Sequence, residues 1–186
     1  SGAIPLHIAV ENGRYDTAAF LLSRKSPIDA VDYSGRTPLM RYIEKNNPPS
    51  FDYLNFLYKW KASFKVRNKN GESLIHIAQA DKNLIQYYRS KGAEINARDK
   101  FGNTPLHAAV TAGDSARSSI LISLGCDVNA LNNVRVSPYD IALKSDNTEL
   151  SLLLLKHGAR RSVSSENSNQ IILAKAVSNG NIDYIR

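Results

Sequence analysis

The chain has 186 residues, of which 42% are hydrophobic and 22% are charged. This length and composition fit one globular domain or one repeat array, and they exclude a disordered chain. No apolar run approaches the length of a transmembrane helix and no signal peptide opens the sequence, so we expect no membrane insertion. Because Cys126 is the one cysteine, no internal disulfide can form. We therefore expect a reducing compartment: the cytoplasm, with the nucleus or the cytosol of a host cell as alternatives.

The net charge is +7 and the isoelectric point is about 9.5. A basic balance permits acidic protein partners or nucleic acid. Here, however, the basic residues are spread along the chain and acidic residues interleave with them. The charge therefore indicates a well-solvated surface and disfavours nucleic acid as the partner.

A short motif recurs along the whole chain. Its first position holds Thr, Ser or Ile, and Pro follows in most copies. Successive copies are separated by 31 to 36 residues, a period typical of repeat architectures. The copies begin at Ile4, Thr37, Ser73, Thr104, Ser137 and Ile171.

The copy that begins at Thr104 shows how one unit folds. Residues 99–102 predict a tight turn, and Thr104 is suited to cap the helix that follows. Pro105 fits the first helical position, where no N–H group is needed. Gly113 ends this short helix, and a second helix ends at Gly125. The apolar face of the first helix consists of Leu106, Ala109 and Val110.

The run Thr-Pro-Leu-His-Ala-Ala at 104–109 resembles the ankyrin repeat, whose signature is Thr-Pro-Leu-His-x-Ala with a period near thirty-three residues. The resemblance implies an all-α ankyrin-repeat solenoid, built of stacked helix–turn–helix units joined by hairpin-like turns. We expect a single array over residues 1–186, with five helix pairs and a truncated sixth. The first unit lacks its preceding turn and the last stops within its outer helix, so we expect a piece of a longer array, or an array whose terminal caps are unusual.

Three departures from the repeat pattern predict local irregularity. Tyr42 occupies a position that should be small, and an insertion at residues 46–50 lies between the helices of the same unit. Residues 81–83 replace the glycine that should end the third inner helix. We therefore expect the stack to be least regular between residues 40 and 90. Arg135 replaces a turn glycine, which predicts a distorted turn.

Histidine and cysteine in this sequence favour structural roles. His7, His76 and His107 share the fourth position of the signature, and the resemblance implies that each bonds the turn of its own repeat. Successive repeats are about 10 Å apart, too far for one metal ion to bind these histidines. Cys126 is expected to be a small buried thiol. The single, periodic glycines form no phosphate-binding loop, so we expect no metal, no cofactor and no catalysis.

The resemblance implies that a partner binds the concave surface, which the turn tips and the exposed ends of the inner helices form. Tyr33 and Phe101 are candidate aromatic anchors, unless each ring folds onto a neighbouring turn. Arg36, Lys69 and Lys100 make the tips basic and favour an acidic patch on the partner. The predicted partner-binding residues are Tyr33, Arg36, Glu44, Lys45, Lys69, Asn70, Glu72, Lys100, Phe101, Asn103 and Thr111.

The sequence therefore predicts a non-catalytic protein–protein interaction module. We expect it to be the recognition part of a larger scaffold, adaptor or effector protein. One alternative is binding of nucleic acid or a phosphorylated ligand through the basic turn tips. Another is a regulatory array attached to an enzyme domain.

Overall fold

The computed structural model describes residues 2–162, so the sixth unit predicted from Ile171 lies outside the described residues. Within this range the chain forms five consecutive helix pairs and no strand, with one isolated bridge between Arg67 and Ser73. We call the first helix of each pair inner and the second outer. None of these helices has the length and apolar character needed to cross a bilayer. The helices are α1 Pro5–Glu11, α2 Tyr15–Ser23, α3 Pro38–Lys45, α4 Phe51–Lys59, α5 Leu74–Ile77, α6 Lys82–Ser90, α7 Pro105–Thr111, α8 Ser115–Ser123, α9 Pro138–Lys144 and α10 Thr148–Lys156.

Hydroxyl side chains at the motif's first position cap the inner helices α3 and α9. The Thr37 hydroxyl accepts a hydrogen bond from the Met40 N–H at 3.3 Å, and the Ser137 hydroxyl accepts one from the Asp140 N–H at 3.1 Å. These bonds satisfy N–H groups that have no partner within the helix. Gly113 follows α7 with a φ of +69°, a conformation that glycine adopts without steric penalty. The predicted caps and helix ends thus account for the length of these helices.

The chain divides into two compact units, which meet in sequence between Asp99 and Lys100. Unit 1 contains α1 to α6. Its inner helix α3 packs against α1 and also contacts α5, and α1 and α5 each contact the outer helix that follows them. The apolar core of unit 1 includes Leu6, Leu39, Ile43, Leu54, Leu57, Leu74, Ile75, Leu84 and Tyr88, all of them buried.

Unit 2 begins at Lys100 and contains α7 to α10. Helix α7 packs against α8 and α9, and α10 packs against α8 and α9. The core of this unit includes Leu106, Leu121, Tyr139, Leu150 and Leu154, all fully buried. The single array over residues 1–186 stays a prediction.

The irregularity expected between residues 40 and 90 takes the form of aromatic packing and a shortened helix. Tyr42 is buried, its ring lies 4.6 Å from that of Tyr53, and its hydroxyl accepts a hydrogen bond from the Ser50 N–H at 3.1 Å. The tyrosine thus ties the insertion at residues 46–50 to the inner helix. The next inner helix, α5, has four residues, whereas the others have seven or eight.

The distorted turn predicted at Arg135 is not found, and that prediction was wrong. Arg135 adopts a φ of +60°, and its N–H donates to the Asn132 carbonyl at 2.9 Å. Gly35, the corresponding glycine of an earlier turn, donates to the Asp32 carbonyl at the same distance. A left-handed conformation costs a non-glycine residue about 1–2 kcal/mol. The hydrogen bonds of the turn are sufficient to hold Arg135 in it.

Candidate functional site

Three turns are built around one side-chain oxygen that accepts two backbone N–H groups. Asp32 Oδ1 accepts from the N–H of Ser34 at 2.8 Å and from that of Arg36 at 3.0 Å. Asn68 and Asn132 each accept two N–H groups in the same way, at distances from 2.9 to 3.1 Å. Short Asp and Asn side chains favour such turns because they can bond their own backbone two residues on. The tips are therefore locally fixed.

Within each unit, backbone hydrogen bonds also join successive tips. The Lys69 N–H donates to the Ser34 carbonyl at 3.0 Å in unit 1, and the Asn133 N–H donates to the Phe101 carbonyl at 2.9 Å in unit 2. Gly102, with a φ of +78°, makes room for this approach, since a Cβ there would lie 2.8 Å from the Asn133 nitrogen. Neighbouring tips thus stand at a set spacing.

The signature histidines bond the next turn as well as their own helix. His7 Nε2 lies 3.0 Å from the Arg36 carbonyl oxygen, and His107 Nε2 lies 3.0 Å from that of Val136. In each histidine, Nδ1 accepts from the N–H three residues earlier, so Nε2 must carry the proton and donate. We expected bonds to the repeat's own turn; the observed acceptor belongs to the turn that follows. These histidines therefore link consecutive repeats.

Asp140 occupies the histidine position of the fifth repeat and has different partners. Its carboxylate accepts from the N–H and hydroxyl of Ser137, and from the N–H and hydroxyl of Ser162. The Arg161 guanidinium lies 3.8 Å from the same carboxylate. Burial alone would raise the pKa of Asp140, but the hydrogen bonds from Ser162 and Ser137 outweigh it and lower the pKa. A carboxylate cannot donate a hydrogen bond as the histidine does. Asp140 therefore accepts hydrogen bonds from groups of the segment that follows.

Three predicted site residues of unit 1 belong to an ion-pair network. Arg36 lies 3.1 Å from Glu44, and Lys45 lies 3.5 Å from Glu11. Arg41 joins them by pairing with Glu11. The network has as many acids as bases, so its charges cancel and it adds nothing to the basic character that we predicted for this face. Its members are Glu11, Asp32, Arg36, Arg41, Glu44 and Lys45.

The two predicted aromatic anchors are both exposed. Tyr33 is 73% exposed, although its ring lies against Gly2. Gly2 adopts a φ of +64°. Phe101 is 59% exposed, and the Lys100 ammonium lies 4.9 Å from its ring centroid. A cation at this distance is attracted to the ring face.

The other predicted site residues help to fix the tips and helix ends on which they lie. Glu72 accepts from the Asn68 side chain at 2.6 Å, and Asn103 accepts from the Asn132 side chain at 2.9 Å. The Thr111 hydroxyl donates to a carbonyl of its own helix. These residues are Lys69, Asn70 and Glu72 in unit 1, and Asn103 and Thr111 in unit 2.

The described residues hold no group of three or more His, Cys, Asp or Glu side chains that could bind a metal ion. Cys126 is a buried free thiol, as expected. Burial, with a smaller contribution from the Asp127 charge, raises the pKa of this thiol to about 12. Because the thiolate is the nucleophilic form, this cysteine is inert at neutral pH.

Family models for ankyrin repeats match nearly all of the chain. One, described as ankyrin repeats in three copies, matches residues 46–132 and 74–165. Another, described as ankyrin repeats in many copies, matches residues 6–57. The chain belongs to the ankyrin-repeat family. This ankyrin-repeat protein has the fold that the motif predicted, an all-helical solenoid of helix pairs.

Ankyrin-repeat proteins of different kinds are similar to it. It is 25% identical to the human transient receptor potential cation channel subfamily A member 1 over 86% of this chain and 15% of the channel. It is 29% identical to the probable 26S proteasome regulatory subunit p28 of Saccharomyces cerevisiae over 85% of this chain and 72% of that protein. It is 37% identical to an I-Kappa-B like protein C2 of Microplitis demolitor bracovirus, over 50% of this chain and 55% of that protein.

The sequence interpretation missed a set of aromatic residues on the outer helices of unit 1. Tyr15, Phe51, Tyr58 and Trp60 are exposed, while the buried side of α4 is already supplied by other residues. The signal was present in the sequence: five of the ten residues at 51–60 are aromatic.

Proposed function

We propose that this ankyrin-repeat protein binds a protein partner through its turn tips and inner-helix ends, the face that is concave in the family. Ankyrin repeats generally mediate protein–protein interactions, and the family is typically non-catalytic. We further propose that the chain has no catalytic activity of its own. It acts as the recognition part of a larger scaffold, adaptor or effector protein. Relatives named as a proteasome regulatory subunit and an I-Kappa-B like protein are consistent with such a role.

The observation that carries this proposal is the exposure of Phe101 on a fixed tip. Its backbone carbonyl is held by the Asn133 N–H and the next residue is the closely packed Gly102, yet its ring is 59% exposed. A large apolar side chain on a rigid, solvated turn contributes little to the core. Aromatic residues placed in this way are common anchors of protein interfaces, because little entropy is lost when they bind.

Polar residues around the anchors supply specificity. In unit 2, Lys100 lies over the Phe101 ring, and Asn103 and Thr111 lie on the same tip and its helix. In unit 1, the exposed aromatic residue of a tip is Tyr33, which lies two residues before its turn glycine, whereas Phe101 lies directly before Gly102. Charged residues at the rim of an interface act mainly on association rate and orientation. We propose this rim role for Arg36, Glu44, Lys45, Lys69, Asn70 and Glu72.

The charge pattern of unit 1 favours a protein over nucleic acid. Binding to phosphates requires cations that are available to replace counterions. Arg36 and Lys45, however, are already paired with Glu44 and Glu11. A phosphate ligand would have to compete with these acids, whereas a protein surface with mixed charges can pair with both signs.

The test uses the whole protein as bait to isolate a partner and then measures the affinity of that partner. Phe101→Ala should weaken binding by about 2 kcal/mol or more if the ring is an anchor in a desolvated centre. Lys100→Ala should act mainly on the association rate and its salt dependence. Phe20→Ala is the matched control, because Phe20 is 57% exposed and has the Arg24 guanidinium 5.3 Å from its ring, but lies on outer helix α2.

Two results would contradict the proposal. Equal losses of affinity in Phe101→Ala and Phe20→Ala, or no loss of affinity in either, would place the interface elsewhere. A phosphate-dominated interaction would instead respond to Lys100→Ala, with the slope of log affinity against log salt reduced by about one unit. Surface plasmon resonance at several salt concentrations measures the rates and the slope together.

A further inference from the structure

A groove on the outer-helix side of unit 1 has the features of a second binding site. Its volume is about 680 Å³, within the range of about 300–1,000 Å³ that is usual for ligand sites. Helices α2 and α4 and the end of α6 contribute to it. We call it the aromatic groove, and its principal lining residues are Tyr15, Asp52, Phe56, Tyr58, Lys59 and Lys91.

The exposed rings are more than the core of unit 1 requires. Helix α4 already buries Tyr53, Leu54 and Leu57, which is a sufficient apolar stripe for a helix of this length. Tyr58 is nevertheless 44% exposed, and Trp60 is exposed as well. In unit 2, by contrast, the exposed positions of outer helix α8 hold small residues, two serines and one alanine. Exposed aromatic rings are therefore a property of these particular outer helices and not of the repeat itself.

Contacts among the lining residues hold the groove in one shape. The Lys91 ammonium lies 4.1 Å from the Tyr58 ring centroid and 5.3 Å from that of Tyr87. The Tyr87 hydroxyl donates to the Asn55 side chain at 2.8 Å, and the Tyr15 and Phe56 rings are 5.1 Å apart. A ligand would thus meet a preformed surface, and little entropy would be lost in ordering it.

Charge is distributed unevenly along the aromatic groove. Asp52 lies in the first turn of α4, where a helix dipole favours an acid. At the other end, Lys59 and Lys91 both line the groove, and Lys65 lies against Gly92, the residue after Lys91. Within residues 2–162, Lys59 has no ion-pair partner. This end therefore has an excess of positive charge beside exposed aromatic rings.

We propose that the aromatic groove binds a short acidic peptide segment of a partner protein. An apolar side chain of the segment packs against Tyr15, Phe56 and Tyr58, and its carboxylates pair with Lys59 and Lys91. The distance from Asp52 to Lys59 is about 10 Å along the helix, at about 1.5 Å per residue. About three residues of extended chain cover this length. This site is separate from the tip surface and does not depend on the function proposed for it.

The arrangement of the rings favours a peptide over nucleic acid. A base stacks on an aromatic face that is open on one side. The Tyr58 ring is instead paired with the Lys91 ammonium. The Phe56 ring is surrounded by those of Tyr15, Tyr53 and Trp60 at 5.1 to 6.5 Å. Ammonium groups suit carboxylates, and ring edges suit compact apolar side chains.

Trp60 provides a direct assay, because it is the one tryptophan of the chain and its ring lies 6.5 Å from that of Phe56. The probe is a synthetic octapeptide of alternating Glu and Phe, titrated into the full chain while Trp60 fluorescence and the anisotropy of a label on the peptide are recorded. Octapeptides of alternating Lys and Phe, and of alternating Glu and Ser, test the charge and the apolar anchor. A single-stranded oligodeoxythymidine tests nucleic acid.

The two decisive variants each replace one lysine by glutamate, one in the aromatic groove and one outside it. Lys59→Glu should weaken binding of the Glu–Phe octapeptide about tenfold or more, since an attraction becomes a repulsion. Lys156→Glu makes the same charge change at the exposed end of outer helix α10 in unit 2 and should leave the affinity unchanged. Tyr58→Ala should also weaken binding, and circular dichroism must show that each variant remains folded. A Lys91→Gln variant tests the second cation without reversing its charge.

The other outcomes overturn the inference. If Lys156→Glu weakens binding of the octapeptide as much as Lys59→Glu does, the peptide responds to net charge and the groove is excluded. If Lys69→Glu, which changes a turn tip, weakens binding more than Lys59→Glu does, the peptide binds the tips, which would favour the function proposed above and exclude the groove. If the Lys–Phe octapeptide or the oligodeoxythymidine binds as tightly as the Glu–Phe octapeptide, the groove does not select acidic peptides. Unchanged Trp60 fluorescence and anisotropy with the Glu–Phe octapeptide would exclude the site altogether.

Discussion

Asp32 offers the sharpest test of how the turns stabilise the fold. Its side chain is 1% exposed, and its two oxygens have separate tasks. Oδ1 accepts the backbone N–H groups of Ser34 and Arg36, whereas Oδ2 faces the guanidinium groups of Arg36 and Arg41 at 3.1 and 3.6 Å. Asp32→Asn should preserve the first task, because Asn132 performs it in unit 2. The same substitution abolishes the second task, the ion pairs of Oδ2 with the two arginines. Asp32→Ala abolishes both.

The expected losses in the free energy of unfolding follow from these contacts. In Asp32→Asn the two arginines keep other partners, Glu44 for Arg36 and Glu11 for Arg41, so no buried charge is left alone. The loss should then be about 2 kcal/mol, the usual value for a hydrogen bond to a charged group. Asp32→Ala also leaves two N–H groups without their acceptor, at about 1 kcal/mol each, for a total of about 4 kcal/mol.

Urea denaturation followed by Trp60 fluorescence is the appropriate assay, because Trp60 lies in the same unit as Asp32. The dependence of the free energy of unfolding on pH gives a second test. Burial alone would raise the pKa of Asp32, but hydrogen bonds from the Arg36 and Ser34 N–H groups and the Arg36 guanidinium lower it overall. A pKa that is lower in the folded state stabilises the fold above the unfolded value of about 3.9. This stabilisation is lost as the pH falls through the folded value.

The difference between wild type and Asp32→Asn should therefore be constant near neutral pH and should shrink below about pH 4. A loss in Asp32→Asn as large as that in Asp32→Ala would show that the ion pairs, and not the turn hydrogen bonds, dominate. A difference that persists unchanged in acid would refute the assigned role of the carboxylate charge.

Three further substitutions test separate features of the fold by urea denaturation. Leu106→Ala, in the fully buried core of unit 2, should destabilise by about 2–5 kcal/mol through lost burial and a cavity; circular dichroism follows it, and a loss below about 1 kcal/mol would contradict the packing. Arg135→Gly should stabilise by about 1 kcal/mol, since glycine adopts the φ of +60° without strain; a loss of stability would show that the arginine side chain matters more. Tyr42→Phe should destabilise by about 0.5–1.5 kcal/mol because the Ser50 N–H loses its acceptor. Tyr53→Phe is its matched control and should be neutral or stabilising, because the buried Tyr53 hydroxyl has no hydrogen-bond partner in the described part of the chain; Trp60 fluorescence follows this pair.

The parts of the fold that depend on neighbouring residues could be predicted from the sequence. Gly113 as a helix end was predicted, and the cap predicted for the motif's first position at Thr104 is seen at Thr37, because each acts within a few residues of itself. The turn at Arg135 was not predicted, because glycine preference alone does not reveal how much strain the turn hydrogen bonds can offset. The pairing of Asp140 with Ser162 was missed for a related reason: the partner lies in the next repeat.

The candidate sites were predicted less completely, for a physical reason. The exposure of Tyr33 and Phe101 could be predicted because a turn tip has one side chain per exposed position and little choice of direction. Their role in binding stays a prediction. The aromatic groove could not, because residues from Tyr15 to Lys91 meet there from three helices. A periodic pattern gives the face of each helix, but it does not give the contacts between rings and ammonium groups of different repeats. The ion-pair network of unit 1 was missed on the same grounds.

The hydrogen bonds between successive tips fix the positions of the tips, whereas the exposed side chains determine the chemistry that the tips present. The Ser34 and Phe101 carbonyls are held by main-chain N–H groups of the next tip, so the distance between neighbouring tips of a unit does not depend on which side chains they bear. Replacing an exposed tip residue changes the chemistry that is presented but leaves its position in place. For a partner bound at the tips as proposed above, new preferences would then arise by single substitutions there, provided that the turn residues beneath them are kept.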